Sequence, residues 1–144
     1  MSDADTYDAR VRAIRAYNQP ILEDFRAWLE QSGISEKTVK DQVNKIHFFT
    51  EYLVYYEPQK KLDQANSSDI RMFFMSWFPY KALWTSETGI KSYLASFKKF
   101  FLWMGETGSV SPATVSNVLK TLKEGRDQFL ERAADYHSYP WLTQ

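Results

Sequence analysis

ISEKTVKDQVNKIHFFTEYLVYY, residues 34–56, decides how the rest of the chain is read. Ser35 is a favourable N-cap, because its hydroxyl can accept from a backbone N–H that the first helical turn leaves unpaired. Behind it Val39, Val43, Ile46, Thr50 and Leu53 recur at helical spacing, and Pro58 stops the pattern. Lys37, Lys40, Asn44 and His47 turn away from that stripe. The segment therefore reads as one helix with a buried seam and a polar, basic face.

TSETGIKSYLASFKKFFLWM, residues 85–104, repeats the construction. Thr85 or Ser86 starts it, Ile90, Tyr93, Leu94, Phe97, Phe101 and Met104 form the stripe, and Gly105 and Gly108 end it. At about 100° per residue, Thr88, Lys91, Ser92, Ala95, Lys98 and Lys99 fall on the far side. Lysines can neutralise phosphates, and short Ser, Thr and Ala side chains let a helix backbone approach a major groove. Ser35 and Thr38 add a helix N-terminus, where free N–H groups and the dipole favour a phosphate. Any surface helix also displays lysines and serines outward, so the pattern by itself is unspecific.

The remaining segments are helical too. Residues 5–16 predict a short helix, and Pro20 suits the first turn of the next, through ILEDFRAWLEQSG (21–33). There Ile21, Leu22, Phe25, Trp28 and Leu29 carry the spacing and Gly33 the stop. Ser67 or Ser68 is expected to cap DIRMFFMSWF (69–78), which Pro79 closes. Ser111 with Pro112 starts ATVSNVLKTLKEG (113–125), and RDQFLERAADY (126–136) is a sixth amphipathic segment. Expected helices thus cover 18–32, 35–57, 67–78, 85–104 and 111–123. No stretch alternates every second residue between turn signals, and no solenoid repeat occurs. The fold class is all-α, with Val39, Val43, Ile46, Leu53, Leu94, Phe97 and Phe101 at a shared core.

In the aromatic run MFFMSWFPYKALW (72–84), Met72, Phe73, Met75 and Trp77 read as core. Phe74, Phe78 and Tyr80 cannot all face inward on one regular helix, which leaves a partner surface as a second reading.

At 144 residues the chain is long enough to bury a core as one domain. Zero cysteines exclude disulfides and thiolate metal sites, and two histidines make a zinc site an unpromising reading. MSDADTYDAR lacks a secretory n-region and apolar run, and nothing reaches the roughly 20 apolar residues of a membrane span. The expectation is a soluble, cytoplasmic protein with no membrane partner. Formal net charge is zero, yet residues 81–123 hold six lysines against Glu87 and Glu106, a local net of +4. No Gly-rich phosphate loop or Gly-x-Ser-x-Gly elbow is present, and no cofactor or small-molecule substrate is indicated.

GISEKTVKDQVNKIHFFTEYL resembles the Gly, hydrophobic, Ser, x, x, Thr pattern that opens a helix in the N-terminal core-binding domain of tyrosine recombinases, the phage-integrase family. LASFKKFFLWMGETGSVSP is similar to that family's Leu-Ser-Ala-Leu-Arg-Arg-Phe-Phe run and the Gly-containing turn and Pro after it. Ile21–Leu29 and the Ser-Ser-Asp-Ile of residues 67–70 stand in the same order, so the likeness covers about residues 18–123. It implies a SAM-like bundle: four main helices in two crossed hairpins, plus a C-terminal helix, clamping one side of duplex DNA. The corresponding organisation is a partly helical or flexible arm over 1–17, a core-binding-like domain over 18–125, and a C-terminal helix and tail over 126–144.

By that resemblance the DNA-binding residues are Ser35, Lys37, Thr38, Lys40, Asn44, Thr88, Lys91, Ser92, Lys98 and Lys99. Many members carry arginines where this chain has Ser92, Lys98 and Lys99. Lysine lacks the planar fork that reads guanine bidentately, so phosphate binding is implied and sequence-specific readout is not. The family's Arg–Lys–His-x-x-Arg cluster is missing: the two histidines give His47-x-x-Thr50 and His137-x-x-Pro140. The expected function is a DNA-binding module in site-specific recombination or DNA integration, with no catalytic residues. It stands alone or forms the N-terminal piece of a larger integrase. The alternative is a protein-interaction module on the same fold with a decayed DNA face, which the zero net charge and missing arginines suit. In the family the last helix of this domain contacts a neighbouring protomer. Phe129, Tyr136 and Trp141 are accordingly expected to serve self-association or docking onto a recombinase, the alternative being that they simply close the bundle.

Overall fold

The computed structural model describes residues 3–81 and 87–138, and every regular element among them is helical. The chain forms two compact units, Met1–Ala65 and Asn66–Gln144.

The first unit pairs two long helices, α1 (Asp3–Gln31) and α2 (Glu36–Tyr55). Gly33, at φ +77°, makes the turn between them, and its N–H closes onto the Glu30 carbonyl at 3.2 Å. Ser35 caps α2 as its sequence position implies, accepting from the Thr38 N–H at 3.3 Å. On α2 Val39, Val43, Ile46, Thr50 and Leu53 are all buried, a spacing of alternating four and three residues that builds a helical-hairpin seam. Val11, Asn18 and Phe25, seven residues apart, are buried on α1.

That seam corrects the reading of Pro20, which lies inside α1 and starts nothing. A proline within a helix costs about 3 kcal/mol through a lost hydrogen bond and a ring clash. Here Pro20 is exposed, so the freed carbonyl one turn back faces water, while Val11 and Asn18 before it and Phe25 and Leu29 after it are buried. Burial on both sides outweighs the local penalty. Residues 5–16, expected as a separate short helix, are therefore the first part of α1. Asn18 ties the seam to the chain after α2: its Oδ1 accepts the Leu62 N–H at 2.9 Å, at a 3₁₀ turn (Leu62–Gln64) whose leucine is fully buried.

The second unit holds α3 (Ser67–Met72), α4 (Phe78–Lys81), α5 (Glu87–Glu106), α6 (Pro112–Glu124) and α7 (Arg126–Ser138). The cap of α3 is Asn66 rather than Ser67 or Ser68. Its side chain accepts from the Ser68 and Asp69 N–H groups, and the Asp69 carboxylate accepts its own N–H at 2.9 Å, a reciprocal capping box. Between α3 and α4 the backbone passes through a π-helical turn (Phe73–Trp77), where the Phe78 N–H reaches back to the Phe73 carbonyl. The wider turn draws Phe78 towards Phe73, with ring centroids 5.5 Å apart. Phe73, Phe74, Trp77 and Phe78 are all buried as a result, so Phe74 and Phe78, two of the three residues offered for a partner surface, join the core. Met72, expected in the core, is 48% exposed.

Pro79 does not close this segment; it sits inside α4. Having no N–H, it leaves the Met75 carbonyl one turn back without its α-helical donor, and Arg132 Nε supplies one from α7 at 3.0 Å. Ser111 caps α6 with Pro112 in its first turn, as expected. Gly108 turns the chain out of α5 at φ +79°, whereas Gly105 is still helical. A Cβ on Gly105 would lie 2.7 Å from Val115 Cγ2, so the missing side chain is what lets α6 lie close against α5. Of the seven expected core residues every one is buried.

One side of α7 belongs to this unit's interior. Phe129 is 1% exposed and stacks on Phe74 at 5.0 Å, and Ala133 is buried one turn later. Phe129 is therefore a core residue and not a partner contact. Tyr136 falls in α7, and Trp141 lies outside the described residues, as do Thr85 and Ser86.

Candidate nucleic-acid interface

Three turns of α5 decide the site. Ile90, Leu94, Phe97 and Phe101 are buried on one side, and Thr88, Lys91, Ala95 and Lys98 are exposed on the other, with Ser92 and Lys99 half-buried beside them. The six outward residues fall within an arc of roughly 120°, so the face expected from the sequence exists as one surface. Among the described residues neither Lys98 nor Lys99 has an ion-pair partner. Lys91 Nζ lies 3.0 Å from Glu87 Oε1, one turn earlier. That hydrogen bond and the lysine's charge, with a smaller contribution from Arg126, hold the Glu87 carboxyl below the usual carboxylate range.

Arg126 and Lys123 are the site residues that the sequence reading missed. A groove of about 420 Å³ runs along α5, with Lys91 and Lys98 on one wall and Lys123 of α6 and Arg126 of α7 on the other. Leu94, Ala95, Leu119 and Leu122 form its floor. Lys123 was visible only as part of the +4 balance of residues 81–123. Nothing local says that the end of α6 returns to the first half of α5.

The face expected on α2, in the first unit, is weaker. Lys37, Lys40 and Asn44 are exposed as predicted. Ser35 and Thr38, expected to hold a phosphate, are occupied with each other: Ser35 Oγ donates to Thr38 Oγ1 at 2.9 Å and accepts the Thr38 N–H. Acids also crowd this helix. Asp41 pairs with Lys45, and Glu51 takes Arg15 at 2.8 Å and lies 3.6 Å from His47 Nε2. Of the two helices, α5 presents the less neutralised surface.

Among the described residues no group of three or more His, Cys, Asp or Glu side chains is placed to hold a metal ion, and no helix is long and apolar enough to cross a membrane. No protein-family model, curated protein or solved structure matches the chain.

Proposed function

We propose that this protein is a non-catalytic duplex-DNA-binding module of the tyrosine-recombinase core-binding type, with a SAM-like arrangement of its helices, acting in site-specific recombination or DNA integration. The observation that carries the reading is the outward face of α5. Lys91, Lys98 and Lys99 stand there among the short side chains of Thr88, Ser92 and Ala95, with Lys123 and Arg126 alongside and, among the described residues, Glu87 as the one carboxylate paired to the row. Such a face places point charges on a phosphate backbone and lets the helix approach it closely. The row on α5 itself is lysine, with no planar fork to read guanine bidentately, so its contacts tolerate sequence.

A duplex titration at several salt concentrations tests this. Each phosphate contact contributes about 0.9 to the magnitude of the log–log salt slope, so engagement of three lysines gives a slope of about −2.7. A salt-independent interaction, or none at low salt, overturns the reading.

Glu87 supplies a second test from the same geometry. Its carboxylate competes with phosphate for Lys91, so Glu87→Gln is expected to raise duplex affinity about two- to fivefold at low salt and less as salt screens the pair. An unchanged or weakened affinity in that variant would remove Lys91 from the contact.

A further inference from the structure

We propose that the groove between α5 and the α6–α7 corner is a docking site for an acidic amphipathic helix of a partner protein. The site adds a second ligand to the DNA reading and does not depend on it. Its floor is apolar: Leu94 and Leu122 are 8% and 6% exposed, Leu119 is half-buried and Ala95 is open to solvent. A cation row stands on each wall, Lys91 and Lys98 on one and Lys123 and Arg126 on the other.

This arrangement selects among occupants. Phosphates would use the cations and leave the apolar strip between them unused. A single-headed amphiphile such as a fatty acid would fill the strip but could satisfy a cation at one end only. A helix with an apolar stripe flanked on both sides by carboxylates meets both requirements at once. Lys91 and Lys98 are two turns apart, about 10.5 Å along α5, a distance that acidic residues seven apart on the partner helix would match. Glu87, held by Lys91 and under the influence of Arg126, marks the end where an incoming carboxylate would replace an internal one.

The test is fluorescence anisotropy with a labelled peptide of about 18 residues, with leucines at i, i+3, i+4 and i+7 and glutamates on both flanks. Two control peptides accompany it, one scrambling the leucines at constant composition and one carrying lysine for glutamate. The patterned acidic peptide should bind the full chain, and each control should bind at least about tenfold more weakly. Leu119→Ser, on the floor, and the double variant Lys123→Glu/Arg126→Glu, on the wall, should each weaken binding about tenfold or more. Lys99→Ala, which does not line the groove, should leave peptide affinity unchanged while lowering duplex affinity, so the two surfaces fail separately. Lys123 and Arg126 are exposed, so the double variant keeps the test open if Leu119→Ser unfolds. Equal binding of the scrambled peptide reduces the effect to charge alone and overturns the proposal. So does wild-type peptide affinity in the double variant. Loss of duplex binding in that variant, with no peptide binding by wild type, makes the groove an extension of the DNA face and overturns it too.

Discussion

Replacing Lys91, Lys98 and Lys99 together by alanine is expected to abolish detectable duplex binding while leaving the unfolding transition in place. Charge-assisted contacts contribute about 1.5 kcal/mol each at low salt, so three lost contacts lower affinity roughly 10³-fold. Non-specific DNA affinities start at about 10⁻⁴–10⁻⁶ M, and a loss of that size takes them beyond measurement. The fold should tolerate the change. Lys91 and Lys98 are exposed and Lys99 is half-buried on a regular stretch of α5, and alanine is the most helix-favouring replacement. The surface pair of Lys91 with Glu87 is worth only about 0.3–0.5 kcal/mol. The check is a low-salt titration of wild type and variant beside their thermal melts. Equal binding by the two would show that α5 is not the DNA face. The interaction-module alternative would then be the better account of the chain.

Phe129→Ala should destabilise the second unit by about 3–5 kcal/mol, the range for emptying a fully buried phenylalanine site. The ring stacks on Phe74, which in turn lies 5.2 Å from Phe97 and 5.7 Å from Phe78, so the cavity would open within one aromatic cluster. Little can collapse into it, because the neighbouring backbone is committed: Gly125 lies so close that a Cβ there would meet the Phe129 ring at 2.6 Å. A typical domain is stable by about 5–15 kcal/mol, so the substitution removes a large fraction. Deleting residues 126–144 goes further. It removes Phe129 and Ala133, and it withdraws Arg132 from the Met75 carbonyl that Pro79 leaves without a donor. That truncation is expected to unfold the second unit, in place of the assembly defect that a peripheral helix would give. Urea denaturation followed by circular dichroism measures both effects. A shift of under about 1 kcal/mol for Phe129→Ala would mean that α7 only rests on the surface.

Local chemistry made much of this legible beforehand. Ser35 and Ser111 cap because a hydroxyl answers an unpaired N–H within three residues, and Gly33 turns because φ +77° suits a residue without Cβ. The outward rows on α2 and α5 followed from helical periodicity alone, and the exposure of Lys37, Lys40, Lys91 and Lys98 agrees.

The remaining features were set by residues distant in the chain. Local rules start a new helix at Pro20, and the seam against α2 carries α1 through it. Phe73 and Phe78, five residues apart, would stand about 140° apart on a regular α-helix; the π turn brings their rings together in the core around Phe74 and Phe97. In the same way Phe129 reads as surplus in an amphipathic tail until Phe74 is placed against it. Lys123 and Arg126 join Lys91 and Lys98 only when the α5–α6 hairpin folds back. A capping hydroxyl or a periodic stripe acts over one or two turns and is written in neighbouring residues. Core burial and a shared groove depend on which helices meet, and that is decided by contacts between residues far apart in the chain, as where Arg132 donates to the Met75 carbonyl 57 residues before it.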